Sequence, residues 1–269
     1  MHDGLSFPGV KLRNRGDFDE FYAQARAELD ARYNFEQSLG TKAGQVSRAG
    51  SCGACLRPAT FISDTAGGAL TPDGRTVPNW RERQTCDCES RLISRYRATL
   101  HFLASEAGLK PWQKALLVGP AGYLEAPLSG RCQYTQVPRL IRGSDGRLHV
   151  PDPGLSVAQA DGEYHVVVAA DYLPRIPAWR EALHAVRRAL MAGGSFVFTA
   201  PFMVRESATI SSHTSDPLAA ELPHGIHQFS WDLLDGLREA GFEDASAHLY
   251  WSAELGYLGP FNLIFHARA

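Results

Sequence analysis

The chain has 269 residues, 44% apolar and 21% charged, enough for one large globular domain plus a small module. Its 27 basic residues against 29 acidic ones leave no global field to draw in polyphosphate, which argues against a long nucleic-acid footprint. No apolar run approaches the ~20 residues of a membrane span, and the N-terminus lacks the basic and apolar regions of a signal peptide, so a cytoplasmic protein is expected.

Residues 1–13 show no clear period. Asp17 followed by Glu20 forms a capping box, and Phe18, Tyr22, Ala25, Leu29 and Tyr33 keep helical spacing behind it. The result is an amphipathic helix that needs a partner surface, either the main domain or a second copy in a homodimer. Residues 40–50, rich in Gly, Ser, Lys and Thr, read as a linker, so residues 1–50 are expected to be an N-terminal helix and linker.

Four of the five cysteines then fall in two close pairs, Cys52 with Cys55 and Cys86 with Cys88. In a cytoplasmic chain, short thiolate pairs point to tetrahedral zinc, since each pair can wrap one side of the ion. The C-x-C spacing is tighter than the usual C-x-x-C, and a redox pair or simply buried cysteines are the competing readings. Cys132 stands alone and reads as a core residue. After the second pair, Leu92, Tyr96, Thr99 or Leu100, and Leu103 make a one-sided helix, while Arg91, Arg95 and Arg97 read as a solvated face. Residues 51–110 are therefore expected to form a zinc-binding module with a connecting helix.

From residue 111 the pattern becomes α/β. Residues 115–118 are an apolar strand running into Gly119-Pro120-Ala121-Gly122. Residues 165–170 form a valine-rich run of the kind buried in a parallel sheet, and Trp179, Leu183, Val186 and Leu190 make a helical stripe. Gly193 and Gly194 stop that helix, and residues 195–199 form the next strand. A long connection holding His213, Asp216, His224 and His227 follows. Ser230 caps a helix carrying Trp231, Leu234 and Leu237, and residues 246–250 and 261–267 read as a final pair of strands.

Residues 173–177, 188–194 and Pro201 resemble the strand, loop, helix, Gly-Gly and strand run at the centre of class I S-adenosylmethionine-dependent methyltransferases. The cysteine pairs, with Ser90, Arg91, Arg95 and Arg97 behind them, resemble the N-terminal zinc-binding segment of a bacterial subset of that family. Residues 229–242 and 250–259 resemble its closing segment, so the resemblance covers roughly residues 50–269. It implies a seven-stranded, Rossmann-like α/β sheet with its last strand antiparallel, preceded by a small four-cysteine zinc module, with residues 111–269 as the methyltransferase-like domain.

The resemblance also implies a cofactor site. Gly119, Pro120 and Gly122 would line the methionine side, Gln136 the ribose, Asp152 the adenine, and Ala170 with Asp171 the loop beneath. Leu117 and Gln136 stand where the family carries acidic residues. His224 and His227 are the candidates for orienting or deprotonating an acceptor, because an unperturbed histidine titrates near neutral pH. Tyr172, Trp251 and Tyr257 would supply apolar walls. The implied activity is methyl transfer from S-adenosylmethionine to a small molecule or sugar-derived metabolite. Its rival is a catalytically inactive scaffold that keeps the fold and a structural zinc.

Overall fold

Residues 6–119, 122–150, 161–212 and 225–269 are described by the computed structural model. They divide into two units. The first comprises residues up to Val10, Gly16–Gly108 and Leu249–Asn262; the second comprises Lys11–Arg15, Leu109–His248 and Leu263–Ala269.

After a short strand β1 (Gly9–Leu12), the expected single helix is two, α1 (Arg15–Gln24) and α2 (Arg26–Ser38). They meet at Ala25, whose ψ of 9° leaves the helical range. Their apolar residues find partners within the first unit: Phe18 packs edge-on against Phe261 with ring centroids 5.6 Å apart, and Phe35 meets Trp251 at 6.1 Å. Near the end of α2 the buried Glu36 carboxylate accepts hydrogen bonds from Trp251 Nε1 at 2.7 Å and the Gly259 N–H at 2.8 Å. Burial pushes its pKa up, and these two donors offset part of that cost.

Most of the expected linker is strand. β2 (Gln45–Cys52) pairs antiparallel with β3 (Arg57–Asp64), which pairs with β4 (Gln84–Cys86). The small residues of β2 serve close packing: a Cβ at Gly50 would lie 2.2 Å from the Glu254 carbonyl oxygen and 2.7 Å from the Phe61 ring. The helix that follows, α3 (Ser94–Ser105), is buried all round from Tyr96 to Leu103. The solvated arginine face therefore fails at Arg97, which is 0% exposed.

The second unit carries the parallel strands β5 (Lys114–Val118), β6 (Gln133–Val137), β7 (Tyr164–Ala170) and β8 (Leu190–Thr199). Helix α4 (Trp179–Ala189) links β7 to β8. Helix α5 (Asp232–Glu239) precedes β9 (Asp244–Ser252) and β10 (Tyr257–Arg268). One seven-stranded sheet runs β1-β9-β10-β8-β7-β5-β6. β5 pairs in parallel with β6 and β7, β7 pairs in parallel with β8, and β10 closes antiparallel on β8. This is the mixed, Rossmann-like sheet of the class I methyltransferase fold. The helix stop differs from the expected one: α4 ends at Ala189, and Leu190 already pairs with Tyr164. Gly193 (φ 73°) lies within β8 and donates to the Ala269 carbonyl at 2.7 Å.

The core follows from strand periodicity. Phe196 and Phe198, two residues apart and hence on one face of β8, stack at 4.5 Å, and Phe198 stacks at 5.0 Å on its cross-strand partner Phe265. A polar pair is buried as well. His248 and His266 lie 6.1 Å apart, His248 Nε2 is 3.2 Å from Ser246 Oγ, and His266 Nε2 is 3.1 Å from Ser195 Oγ. Burial first, and a neighbouring charge second, pushes each down to about 4.

Unfolded histidine titrates near 6.5, so the unfolded chain binds more protons than the folded one between pH 6.5 and 4. Stability is therefore complete above pH 6.5 and falls as the pH drops toward 4. The expected loss is on the order of 3 kcal/mol per histidine. Denaturant midpoints across that window should fall steeply for the wild type and less for a His248→Gln, His266→Gln double variant. Equal slopes would show that other groups carry the acid loss.

Candidate functional site

β2 ends at Cys52, and a tight turn returns the chain at Cys55. The Leu56 N–H donates to the Cys52 carbonyl at 2.7 Å, and Leu56 takes a φ of 56°. Pairing with β3 places Cys86, the last residue of β4, opposite Phe61. The Sγ atoms of Cys52, Cys55 and Cys86 lie within 4.8 Å of one another, with Cys55 and Cys86 3.7 Å apart. Tetrahedral thiolates with metal–sulfur bonds of ~2.3 Å stand ~3.8 Å apart, so this spacing fits a shared ion and is far beyond a ~2.05 Å disulfide. All five cysteines are free, Cys132 buried among them.

Cys88 stands beside this trio. Its N–H donates to Cys86 Sγ at 3.3 Å. The tight C-x-C spacing works because the backbone turns at Asp87 back onto the first sulfur. Hydrogen bonds from Cys55 and Cys86 push Cys52 toward thiolate, and Cys52 in turn pushes Cys86 far up and Cys55 up to about 12. Thiols this close oppose one another's ionisation, and a bound cation relieves that opposition. The cluster has the donors and spacing to hold a metal ion.

α3 backs the cluster closely. A Cβ at Gly53 would lie 2.4 Å from His101 Nδ1, which itself sits 3.2 Å from the Tyr257 hydroxyl. One turn earlier, Arg97 donates to the Leu255 and Gly256 carbonyls at 2.9 Å each and to Gln84 Oε1 at 3.3 Å. Its guanidinium lies 4.4 Å from the Phe61 ring centroid and 5.5 Å from that of Tyr257. The only sequence signal for its burial is phase, three residues before Leu100 on the apolar stripe.

In the second unit the strand order reverses at β5, and ligands of open α/β sheets sit outside the carboxyl ends of the strands at such a point. Gly119 follows β5 with a φ of 85°, its N–H donating to the Val137 carbonyl at 2.9 Å, and Gln136 Nε2 donates to the Gly119 carbonyl at 3.3 Å. Asp171 follows β7 with a φ of 50°; its N–H donates to the Thr199 carbonyl at 3.0 Å and its Oδ1 accepts from the Thr199 hydroxyl at 2.9 Å. Gly119, Gln136, Ala170 and Asp171 thus lie at the ends of adjacent strands. Gly122 opens a short 3-10 turn, where an added Cβ would meet, among the described residues, Glu125 Oε1 at 3.4 Å. Pro120 and Asp152 lie outside the described residues.

Tyr172 occupies this crevice. A Cβ on Gly119 would fall 2.5 Å from Tyr172 Cδ2, and the Tyr172 hydroxyl accepts from the Leu140 N–H at 2.9 Å. The ring therefore reaches from the end of β7, over the turn after β5, to the segment beyond β6. Burial pushes its pKa up.

The remaining sequence candidates fall elsewhere. His224, His213 and Asp216 lie outside the described residues. His227 is 5% exposed, with Nε2 donating to the Ile176 carbonyl at 3.0 Å and Nδ1 2.8 Å from Ser211 Oγ. Both ring nitrogens are engaged within the protein, and burial pushes its pKa down. Tyr257 is 0% exposed, packed on Phe7 and Tyr250 in the first unit. Trp251 is held there by Glu36 and by the Arg32 guanidinium 5.0 Å from its ring.

Strand order and glycine turn together define a class I methyltransferase-type fold. A scan against protein-family models returns no match, and a search of curated proteins finds no similar sequence. Among solved structures the chain is similar to the DszA carbon methyltransferase, at 15% identity and a TM-score of 0.37, over 65% of this chain and 52% of that one. It is similar to a chain of the Haloferax volcanii complex between the Trm112 methyltransferase activator and a methyltransferase, at 12% identity and a TM-score of 0.41, over 63% and 87%. It is also similar to the S-adenosylmethionine dependent methyltransferase from Mesorhizobium loti, at 13% and 0.37, over 60% and 93%. The chain spans about half the length of the carbon methyltransferase it matches. At these values the likeness adds nothing to what the strand order establishes.

Proposed function

We propose that the protein transfers a methyl group from S-adenosylmethionine to a small molecule or sugar-derived metabolite, and that Cys52, Cys55, Cys86 and Cys88 hold one structural zinc. The observation that carries the reading is the left-handed Gly119 turn at the carboxyl end of β5, where the sheet reverses order and backbone can approach a ligand closely. Gly119 and Gly122 would line the methionine side, Gln136 would reach the ribose, and Ala170 with Asp171 would lie beneath. The cofactor supplies an electrophilic methyl on a sulfonium. The chain's part is to exclude water and align the acceptor, work that needs no acid or base when the geometry is right. His224 is a candidate for orienting the acceptor. Four thiolates leave a metal no open position, so the zinc is structural.

Calorimetric titration with S-adenosylmethionine and its demethylated product should give saturable binding, and Gly122→Trp should abolish it by filling the turn. Unchanged affinity in that variant would show that the turn is misassigned. Elemental analysis should find one zinc per chain; protein purified without chelator and free of metal would defeat the zinc reading. The scaffold reading is favoured by the Tyr172 ring over Gly119 and by a neutral Gln136 where a carboxylate would accept from both ribose hydroxyls. An absence of binding even with Tyr172 replaced by alanine would decide for it.

A further inference from the structure

A buried cation in the first unit has no anion among its side-chain partners. The Arg97 guanidinium is wholly buried, yet its hydrogen-bond acceptors are two carbonyls and a glutamine amide, and its stacking partners are the uncharged rings of Phe61 and Tyr257. Its Nε is buried without a hydrogen-bond partner. Arg95, two residues earlier on the same helix, is neutralised by Glu82 at 3.1 Å, whereas no carboxylate among the described residues forms an ion pair with Arg97. Burying an unpaired guanidinium is strongly unfavourable, and native proteins keep one where an anion belongs nearby. The cysteine cluster is placed to supply that anion: the guanidinium stacks on Phe61, the cross-strand partner of Cys86, and bonds Gln84, which shares a strand face with Cys86 two residues on. Four thiolates around a dication leave a net formal charge of about −2.

We propose that Arg97 is the counter-cation of the metal–thiolate cluster, and that through its two carbonyl contacts it makes the seating of the turn between β9 and β10 depend on metal occupancy. The inference rests on the zinc reading above. Its logic is reciprocal: the loaded cluster supplies the charge that Arg97 needs, and Arg97 in that state fixes the Leu255 and Gly256 carbonyls. Partners outside the ligand set tune metal affinity by ~10–100-fold in well-studied sites. Arg97 is thus a positioning residue for the cluster, with a role that residue size alone does not fill.

The test is zinc affinity by competition with a chromophoric chelator, using the full chain. Arg97→Met keeps the volume and removes the charge, and should bind zinc ~10–100-fold more weakly. Arg97→Lys should recover most of that loss. Ser94→Ala removes a different contact to the same turn, the 3.2 Å bond to the Gly256 carbonyl, and should leave zinc affinity unchanged. Wild-type affinity in Arg97→Met, or an equal loss in Ser94→Ala, would overturn the proposal. Should Arg97→Met fail to fold, hydrogen exchange on the wild type decides. As zinc is withdrawn with graded chelator, amides of residues 253–258 should lose protection together with those of residues 52–56. Continued protection of the turn after the knuckle is released would overturn the coupling. A chain that carries no zinc by elemental analysis fails at the earlier step and is recognised there.

Discussion

Removing the metal with a thiol-competing chelator is expected to unfold the first unit while the parallel strands keep their far-ultraviolet signal. A structural zinc contributes ~10–16 kcal/mol at neutral pH, as much as the whole stability of ~5–15 kcal/mol that a domain ordinarily has. The three-stranded sheet around the cysteines is small, and Cys52 and Cys86 are buried at the ends of two of its strands, so an ion held between them would tie those strands together. Scanning calorimetry should show a transition in the loaded protein that is missing after stripping. Cys86→Ser, which removes the sulfur 3.7 Å from that of Cys55, should reproduce that loss with zinc present. A stripped protein with an unchanged melting profile would rule out a structural role for the cluster.

Replacing Tyr172 by alanine is expected to raise affinity for S-adenosylhomocysteine by about tenfold or more. A ligand that binds only when the crevice is open sees its affinity reduced by the open fraction, so removing the obstruction recovers that factor. The ring lies over Gly119, and its hydroxyl is latched by the Leu140 N–H. Tyr172→Phe keeps the ring and strands the donor, which costs ~1–3 kcal/mol of stability, and should raise affinity by less. Gly119→Ala should act oppositely: its methyl would meet the ring at 2.5 Å from a backbone φ of 85°, crowding the crevice further. Calorimetry on the four proteins separates the cases. Wild-type affinity in Tyr172→Ala would make the ring ordinary packing, and no binding in any of them would leave the fold without its cofactor.

The parallel strands were legible because their burial on both faces writes a continuous apolar run, as in residues 166–170 and 115–118. The approach of Cys52, Cys55 and Cys86 was legible through their spacing. β2 was not, because its Gly, Ser and Arg residues carry no apolar alternation; Gly50 is small to admit the Glu254 carbonyl, a contact about two hundred residues away in sequence. Nothing local announces the Ile176 carbonyl and Ser211 hydroxyl that meet the His227 nitrogens. Arg97 read as solvated for the same reason: its acceptors lie 158 and 159 residues on. The misread side chains are those whose partners are distant, whereas local periodicity carried the rest.

That distance bears on how the chain is made. Leu249–Asn262, the segment that supplies the Arg97 acceptors and the Glu36 donors, belongs to the first unit yet is translated only after Leu109–His248 of the second. On the ribosome Cys52, Cys55, Cys86 and Cys88 precede that segment and can take up metal, but the completed unit has to wait for it to leave the exit tunnel. Such long-range closure is slow, and it leaves the earlier strands with unpaired edges until the segment arrives. Early metal loading would shield those thiols from oxidation and mispairing during the wait, so a cell short of zinc should accumulate the newly made chain as aggregate before it loses any that is already folded.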